Sequence, residues 1–337
     1  MKDKRKTTTQ NPTAEIKKLL EQKGHKSLPL VGKAILEEKL GSKEAQEALK
    51  YFSDGWRDNS RAAILAMTCE AVGGNPELTT MIAVALSLIS GGYDLHDDIV
   101  DFSTAKNGKA TVLGRFGKNS TLLVGDALML KGFVVLNKSL EDFTKEKRLK
   151  ILEIVDKMFF ELFDAEMLEL KFRGSLEITP DQYLQIIRKK AADVEAHARI
   201  GAVIGGASPI QIDSLGGYGR ALGMLVILRD EFLDVIDVEE AKHRYEKEHL
   251  PLPVVYVAKD RKMKNLLSEL ISKRPMPRKN ALKILEITKN AGGFENTQKT
   301  MDAVLHEAIN SLKGLMSVED LQALARAISS VWLELEE

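Results

Sequence analysis

Apolar residues recur along nearly the whole chain at i, i+3, i+4 and i+7, the spacing that lines one face of a helix, and no segment shows a convincing two-residue alternation. The pattern predicts an all-α protein. Asn75 followed by Pro76 supplies an N-cap and a first-turn proline for a helix running to about Asp101. Gly108, Gly114 and Gly117 then mark a loop. Further helices are expected over 118–138, 143–172, 179–206 and 210–242, with breaks at Ser139, at Gly174 with Pro180, and at Ser208 with Pro209. Pro251 and Pro253 open a shorter helix, and three or four more follow. Without a repeat or an evident linker, residues 13–337 are expected to form a single-domain helical bundle behind a disordered polar tail over residues 1–12.

Two stretches interrupt this amphipathic plan. In LISGGYDLHDDIVD, Leu88 to Asp101, the acids Asp97, Asp98 and Asp101 close a long apolar run without a neighbouring cation. In GMLVILRDEFLD, Gly223 to Asp234, the acids Asp230, Glu231 and Asp234 repeat that spacing. Like charges at i, i+4 cost a helix roughly 0.2–0.5 kcal/mol per pair, and partly buried carboxylates cost more. A solvated acidic face is the ordinary outcome for one cluster, but two clusters flanked by ALSLISGGY and ALGMLVIL point to a shared cation. Oxygen-only ligands suit Mg²⁺, which keeps several waters and joins carboxylates to substrate phosphates. Facing clusters would hold two or three Mg²⁺ against a diphosphate, and neutralising that leaving group lowers the barrier to breaking its carbon–oxygen bond. Leu88, Ile89, Leu95 and Val226 are expected to line the central apolar cavity beside it.

Composition narrows the field. The 337 residues are 44% hydrophobic and 6% aromatic, enough for a large aliphatic core, and Lys plus Arg equals Asp plus Glu at 49 each. That balance argues against a nucleic-acid partner. The apolar stretch around Met81 to Ile89 is too short for a bilayer, and MKDKRKTTTQ lacks the apolar segment of a signal peptide, so a soluble cytoplasmic protein with no integral membrane segment is expected. The single cysteine, Cys69, reads as a small core residue.

At these residues the chain resembles the trans-isoprenyl diphosphate synthases. Asp97, Asp98 and Asp101 meet that family's DDxxD, and Lys106, Asn107, Gly108, Lys109, Ala110 and Thr111 partly meet its RRGxPT. GDALML from Gly125 resembles GDALLA, YLQIIRKKA from Tyr183 resembles YxxMIxxKT, and YGRALGMLVILRDEFLD from Tyr218 resembles YGxxLGxAFQIxDDxLD. RAAILAMTCEAVGG from Arg61 matches RPxLxxxxxExxGG, and the order is kept from about Arg57 to Tyr256. The resemblance implies a Mg²⁺-dependent prenyltransferase, commonly a homodimer, that ionises an allylic prenyl diphosphate and condenses it with isopentenyl diphosphate. It implies Asp97, Asp101 and Asp230 as Mg²⁺ ligands supported by Asp98, Glu231 and Asp234, with Lys106 and Lys190 on the allylic diphosphate. Glu166 stands at the glutamine of the family's GQxxD segment, whose final acid is kept as Glu169. Tyr93 and Gly92 stand where the family limits product length: the tyrosine would shorten the cavity, whereas Gly91 and Gly92 would relieve crowding or serve helix packing.

The departures concentrate on the second substrate. The isopentenyl diphosphate positions read Asp58, Arg61, Ser90 and Asn107, so only Arg61 stays cationic, and Val226 and Ile227 replace the FQ pair. Arg57 offers an imperfect substitute, since helix neighbours lie about 100° apart. Three activities stay open at this level: condensation with isopentenyl diphosphate, prenyl transfer to another acceptor or lyase chemistry, and a non-catalytic role as partner of another synthase. Asp94 shares the Asp97 face as a further ligand or a hydrogen-bonded acid, and His96 reads as a polar partner for a neighbouring helix. Lys242 lies near the family's GK segments, while His243 and His249 fall in an irregular, exposed loop.

Overall fold

The computed structural model describes residues 12–106 and 108–330, so residues 1–11 of the tail expected over 1–12, and Asn107, lie outside the described residues, while Pro12 already opens a helix. Helices α1 (Pro12–Gly24), α2 (Ser27–Leu36), α3 (Lys43–Gly55) and α4 (Ser60–Glu70) precede a 3-10 turn over Pro76–Thr79 and the long α5 (Thr80–Val100). Asn75 caps that turn by accepting from the Glu77 amide, as its position before Pro76 predicts. A small hairpin follows, β1 (Ala105–Lys106) paired antiparallel with β2 (Lys109–Ala110), where only a loop was expected. Next come α6 (Val112–Ser139), α7 (Lys145–Phe172), α8 (Pro180–Lys190), α9 (Ala192–Gly205) and α10 (Pro209–Ile236). The chain continues through α11 (Val238–Lys247), α12 (Leu252–Val257), α13 (Arg261–Ile271), α14 (Arg278–Asn290), α15 (Gly293–Ser311) and α16 (Glu319–Ser329).

Three boundaries differ from the periodicity, each for a local reason. α6 starts at Val112 because Thr111 caps it, and its first turn is set off by Gly117 at φ 77°, a left-handed conformation that glycine adopts without strain. The segment expected as one helix over 179–206 jogs at Ala191, which packs so closely on α10 that a Cβ at Gly223 would lie 2.9 Å from its own. Asp237 ends α10 and caps α11 through the Glu239 and Glu240 amides, a local bond that overrides an unbroken apolar period.

The helices form one bundle in which α5 packs along α6, α9 along α10, α4 against α9, and α10 against α15. The α5–α6 contact is unusually close: a Cβ at Gly92 would sit 2.6 Å from the Gly125 carbonyl oxygen and 2.5 Å from Met129 Cγ. Gly92 therefore serves helix packing and opens no cavity, and Gly91 likewise faces the Phe52 ring. Tyr218, Leu225, Leu228 and Phe232 bury α10 in the largest core cluster, and Cys69 is wholly buried. Two stretches, Pro76–Val100 and Val112–Ser139, are long and apolar enough to cross a membrane, contrary to the estimate from the apolar run alone. The first is 72% buried inside the fold and the second 33%. What α6 leaves uncovered includes Leu123, Leu130 and Val134, and α7 adds Phe160, Phe163 and Met167.

Candidate active site

A cleft of about 200 Å³ opens where α5, α7, α9 and α10 converge. Its apolar wall is built by Ile89, Met158, Phe159, Leu162, Val226 and Ile227. Ile89 and Val226 lie where expected, whereas Leu88 and Leu95 do not reach it. They point instead into a core cluster with Val31, Phe52 and Leu128, because successive helical residues turn about 100°. Asp97, Asp94, Tyr93, Arg61, Glu166 and Lys190 all line the cleft, so five of the predicted site residues and Asp94 meet there. Asp97 Oδ1 is buried without a hydrogen-bond partner. Lys190 Nζ stands 2.6 Å from Glu169 Oε2 and 3.2 Å from Glu166 Oε1, and Arg61 is held by Asp58 at 2.6 Å and Asp193 at 2.7 Å.

The other predicted residues divide. Lys106 does not line the cleft; the hairpin carries it to Asp98, 2.7 Å away, and that pair closes the base of the first motif. Asp101 caps α5 and pairs with Arg173 at 3.0 Å. Glu231 is 1% exposed: it accepts from the Tyr183 hydroxyl and the Leu252 amide and lies 3.2 Å from His249 Nε2. Asp234 is clamped by Arg244 at 2.5 Å. Asp230 is 61% exposed and lines a second, outer groove of about 340 Å³, which shares Val226 as a wall with the cleft. The two motifs nevertheless lie on one side of the bundle, since Glu248 acts electrostatically on both Asp101 and Asp234.

Sequence reading missed the network that joins them. Arg244 reaches Asp234, Glu231 at 3.6 Å and Glu248 at 3.4 Å, while His249 bridges Glu231 to Glu169 at 3.4 Å. His249 is thus partly buried, with a side chain 11% exposed, and His243, in α11, pairs with Glu248 at 3.3 Å. Lys242 pairs with Glu239 at 2.9 Å, and His96 stands 3.2 Å from Asp126 on α6 as an inter-helix partner. The only available signal was the crowding of His243, Arg244, Glu248 and His249 before Pro251.

The electrostatics favour a cation. Burial, then Asp97 and Glu248, push Asp101 up to about 7. Burial, opposed by Lys190 and assisted by Glu169 and Asp97, pushes Glu166 up to about 8, and burial pushes Asp94 up to about 6. Among the described residues no three His, Cys, Asp or Glu side chains enclose a metal by themselves. An ion held by one or two carboxylates and completed by substrate oxygens fits this arrangement, and the unpartnered Asp97 oxygen is available to it. These folded-state values lie above the unfolded ones, so their contribution to stability is greatest at low pH and is lost as pH rises from about 4 to about 8. Adding Mg²⁺ with inorganic diphosphate is expected to raise the melting temperature more at pH 8.5 than at pH 6, because the ligands must ionise. Equal shifts at the two pH values would contradict this assignment of the acids.

Comparisons with known proteins agree with this architecture. The chain is 31% identical to geranylgeranyl diphosphate synthase of Methanosarcina mazei over 198 residues, 58% of this chain and 60% of that protein. It is 32% identical to a short chain isoprenyl diphosphate synthase of Methanothermobacter thermautotrophicus over 183 residues, 54% of this chain and 55% of that protein. The aligned segment thus spans somewhat over half of the length of these relatives. In fold, the chain is similar to geranylgeranyl pyrophosphate synthetase of Pyrococcus horikoshii, with a TM-score of 0.82 and 24% identity, covering 94% of this chain and 99% of that one. A polyprenyl synthase of Caulobacter crescentus, solved with calcium and isoprenyl diphosphate, superposes with a TM-score of 0.82 at 21% identity, covering 93% and 97%. Residues 42–288 match the polyprenyl synthetase family, and with most of the chain inside that match this protein is a member of it.

Proposed function

We propose that the chain is a Mg²⁺-dependent trans-prenyltransferase that ionises an allylic prenyl diphosphate and passes the prenyl group to an acceptor in the cleft. The observation that carries this is the meeting of Asp97 and Lys190 at the mouth of one apolar-walled cleft. Asp97 and Asp101, with Asp230 from the groove side, are the residues that would hold Mg²⁺, and the ions supply charge stabilisation to the departing diphosphate. Lys190 binds diphosphate oxygen with the donor its two carboxylate partners leave, since an ammonium group has three. Ile89, Met158, Leu162 and Val226 take the hydrocarbon and keep water from the developing cation. Tyr93 and Phe159 narrow the cleft, which supports a short-chain substrate. The names of the relatives, geranylgeranyl and short chain isoprenyl diphosphate synthases, support the same reading.

The uncovered apolar side chains on α6 and α7 support pairing of two copies through that face, since an apolar patch on this scale marks an interaction surface. The central experiment is incubation with Mg²⁺ and geranyl or farnesyl diphosphate, with release of inorganic diphosphate measured. Release that EDTA abolishes and Mg²⁺ restores is expected. No release from either substrate under these conditions would rule the reading out.

A further inference from the structure

At the end of the first motif one cation has donors to spare. Arg61 stands against Asp58 and Asp193, Lys190 against Glu166 and Glu169, and Arg244 against Glu231, Asp234 and Glu248. Arg173, just past the end of α7, meets a single carboxylate among the described residues, that of Asp101. Its Nη2 donates to Asp101 Oδ1 and to the Val100 carbonyl, both at 3.0 Å, while Nε and Nη1 donate to no atom of the described residues. A guanidinium carries its N–H donors in a rigid fork, so most of this fork is uncommitted, and with 27% of the side chain exposed it is open to an incoming ligand. The surrounding chain fixes its place. Phe102 adopts φ 58°, a left-handed conformation that a bulky side chain rarely takes. Its ring stands 5.9 Å from the guanidinium carbon of Arg173 and 5.6 Å from Lys247 Nζ, within cation–π range. The Gly174 amide donates to the Glu248 carbonyl at 2.9 Å, which ties the turn after α7 to the segment before α12. Asp101 in turn feels Asp97, Glu248, Lys190 and Glu169, so Arg173 stands at the mouth where the first motif and Lys190 converge.

We infer that Arg173 is a diphosphate-binding residue of this cleft, which exchanges Asp101 for diphosphate oxygens when Asp101 takes Mg²⁺. This rests on the prenyltransferase reading above. Arg173 and the ion are alternative counter-charges for one carboxylate. The ligands of one octahedral Mg²⁺, each about 2.0–2.1 Å from it, lie roughly 3 Å apart, so a donor bonded to Asp101 is within reach of the next oxygen on the same ion. The planar fork suits that oxygen, since arginine pairs with phosphate through parallel N–H groups.

Calorimetric titration separates this role from that of a strut for Asp101. Mg²⁺ alone, and then geranyl thiodiphosphate at saturating Mg²⁺, are titrated into the unaltered protein, Arg173→Gln and Arg173→Lys; the thio analogue resists ionisation. Lys171→Gln makes an equal change of charge at an exposed residue two positions away. Arg173→Gln is expected to weaken the analogue roughly ten- to a hundredfold, the worth of hydrogen bonds between charged groups. Mg²⁺ alone should bind that variant at least as tightly as the unaltered protein, because its competitor at Asp101 is gone. Arg173→Lys, which keeps the charge and loses the fork, is expected to lose roughly three- to tenfold, and Lys171→Gln less than about threefold. Unchanged affinity for the analogue in either Arg173 variant that melts like the unaltered protein overturns the inference. So does a parallel loss of Mg²⁺ binding in Arg173→Gln, the mark of a residue that only holds Asp101 in place, or an equal loss of the analogue in Lys171→Gln. Failure of the unaltered protein to bind the analogue with Mg²⁺ would instead overturn the reading on which the inference stands.

Discussion

Asp97→Asn is expected to lower Mg²⁺-dependent release of diphosphate from an allylic substrate by roughly a hundredfold to a thousandfold, with the fold intact. Asp97 Oδ1 has no hydrogen-bond partner among the described residues, so the amide breaks none of their bonds, and its loss falls on the cation. Removing one preorganised charge-stabilising group from an active site costs about 10²–10³ in turnover, and each factor of ten is about 1.4 kcal/mol of barrier. Steady-state diphosphate release, paired with circular dichroism of the variant, checks the expectation. An Asp97→Asn protein within tenfold of the parent would mean that the first motif is not where the cation acts. The same substitution at Asp98 should weigh mainly on stability, since that carboxylate answers Lys106 at 2.7 Å away from the cleft.

The second large effect is on stability. Arg244→Ala removes the guanidinium that stands among Asp234, Glu231 and Glu248, and leaves three acids facing one another in a region where Glu231 is 1% exposed. Breaking a buried pair from one side costs about 3–5 kcal/mol, because the remaining charge has no compensation. For a domain of this size that corresponds to a melting temperature lower by roughly 10 °C. Scanning calorimetry measures it directly, and Arg244→Lys should recover part of the loss. A shift below about 2 °C would show that Glu231 is held by Tyr183, His249 and the Leu252 amide without help from Arg244.

The contrast between Asp97 and Arg244 marks how far the sequence is legible. Helix content follows from the 3.6-residue period, and Asp97, Lys190, Glu166, Tyr93 and Arg61, singled out through the family order, all line one cleft. Local spacing does not report which side of a helix faces the cleft. Leu88 and Ile89 look equivalent in the run, yet one packs toward Phe52 and the other toward Met158. Likewise Glu231 follows Asp230 in the motif, but one residue of helical turn sends it into the interior beside Tyr183. Lys106 meets Asp98 because it sits in a two-residue strand of a hairpin too short to show a period. Arg244 and His249 meet the motif because α11 and the loop before Pro251 fold back onto α10, a long-range placement that local spacing does not carry.

The seam between α5 and α6 has one more consequence. Backbone meets backbone at Gly92 and Gly125, so the distance between these helices is set by atoms that have no rotamers to change. Substitutions elsewhere in the interior can be absorbed by neighbours that reorient, while the strut bearing Asp97, little more than one turn further along, keeps its height and azimuth. A library of core variants should therefore scatter widely in thermal tolerance yet cluster tightly in metal affinity.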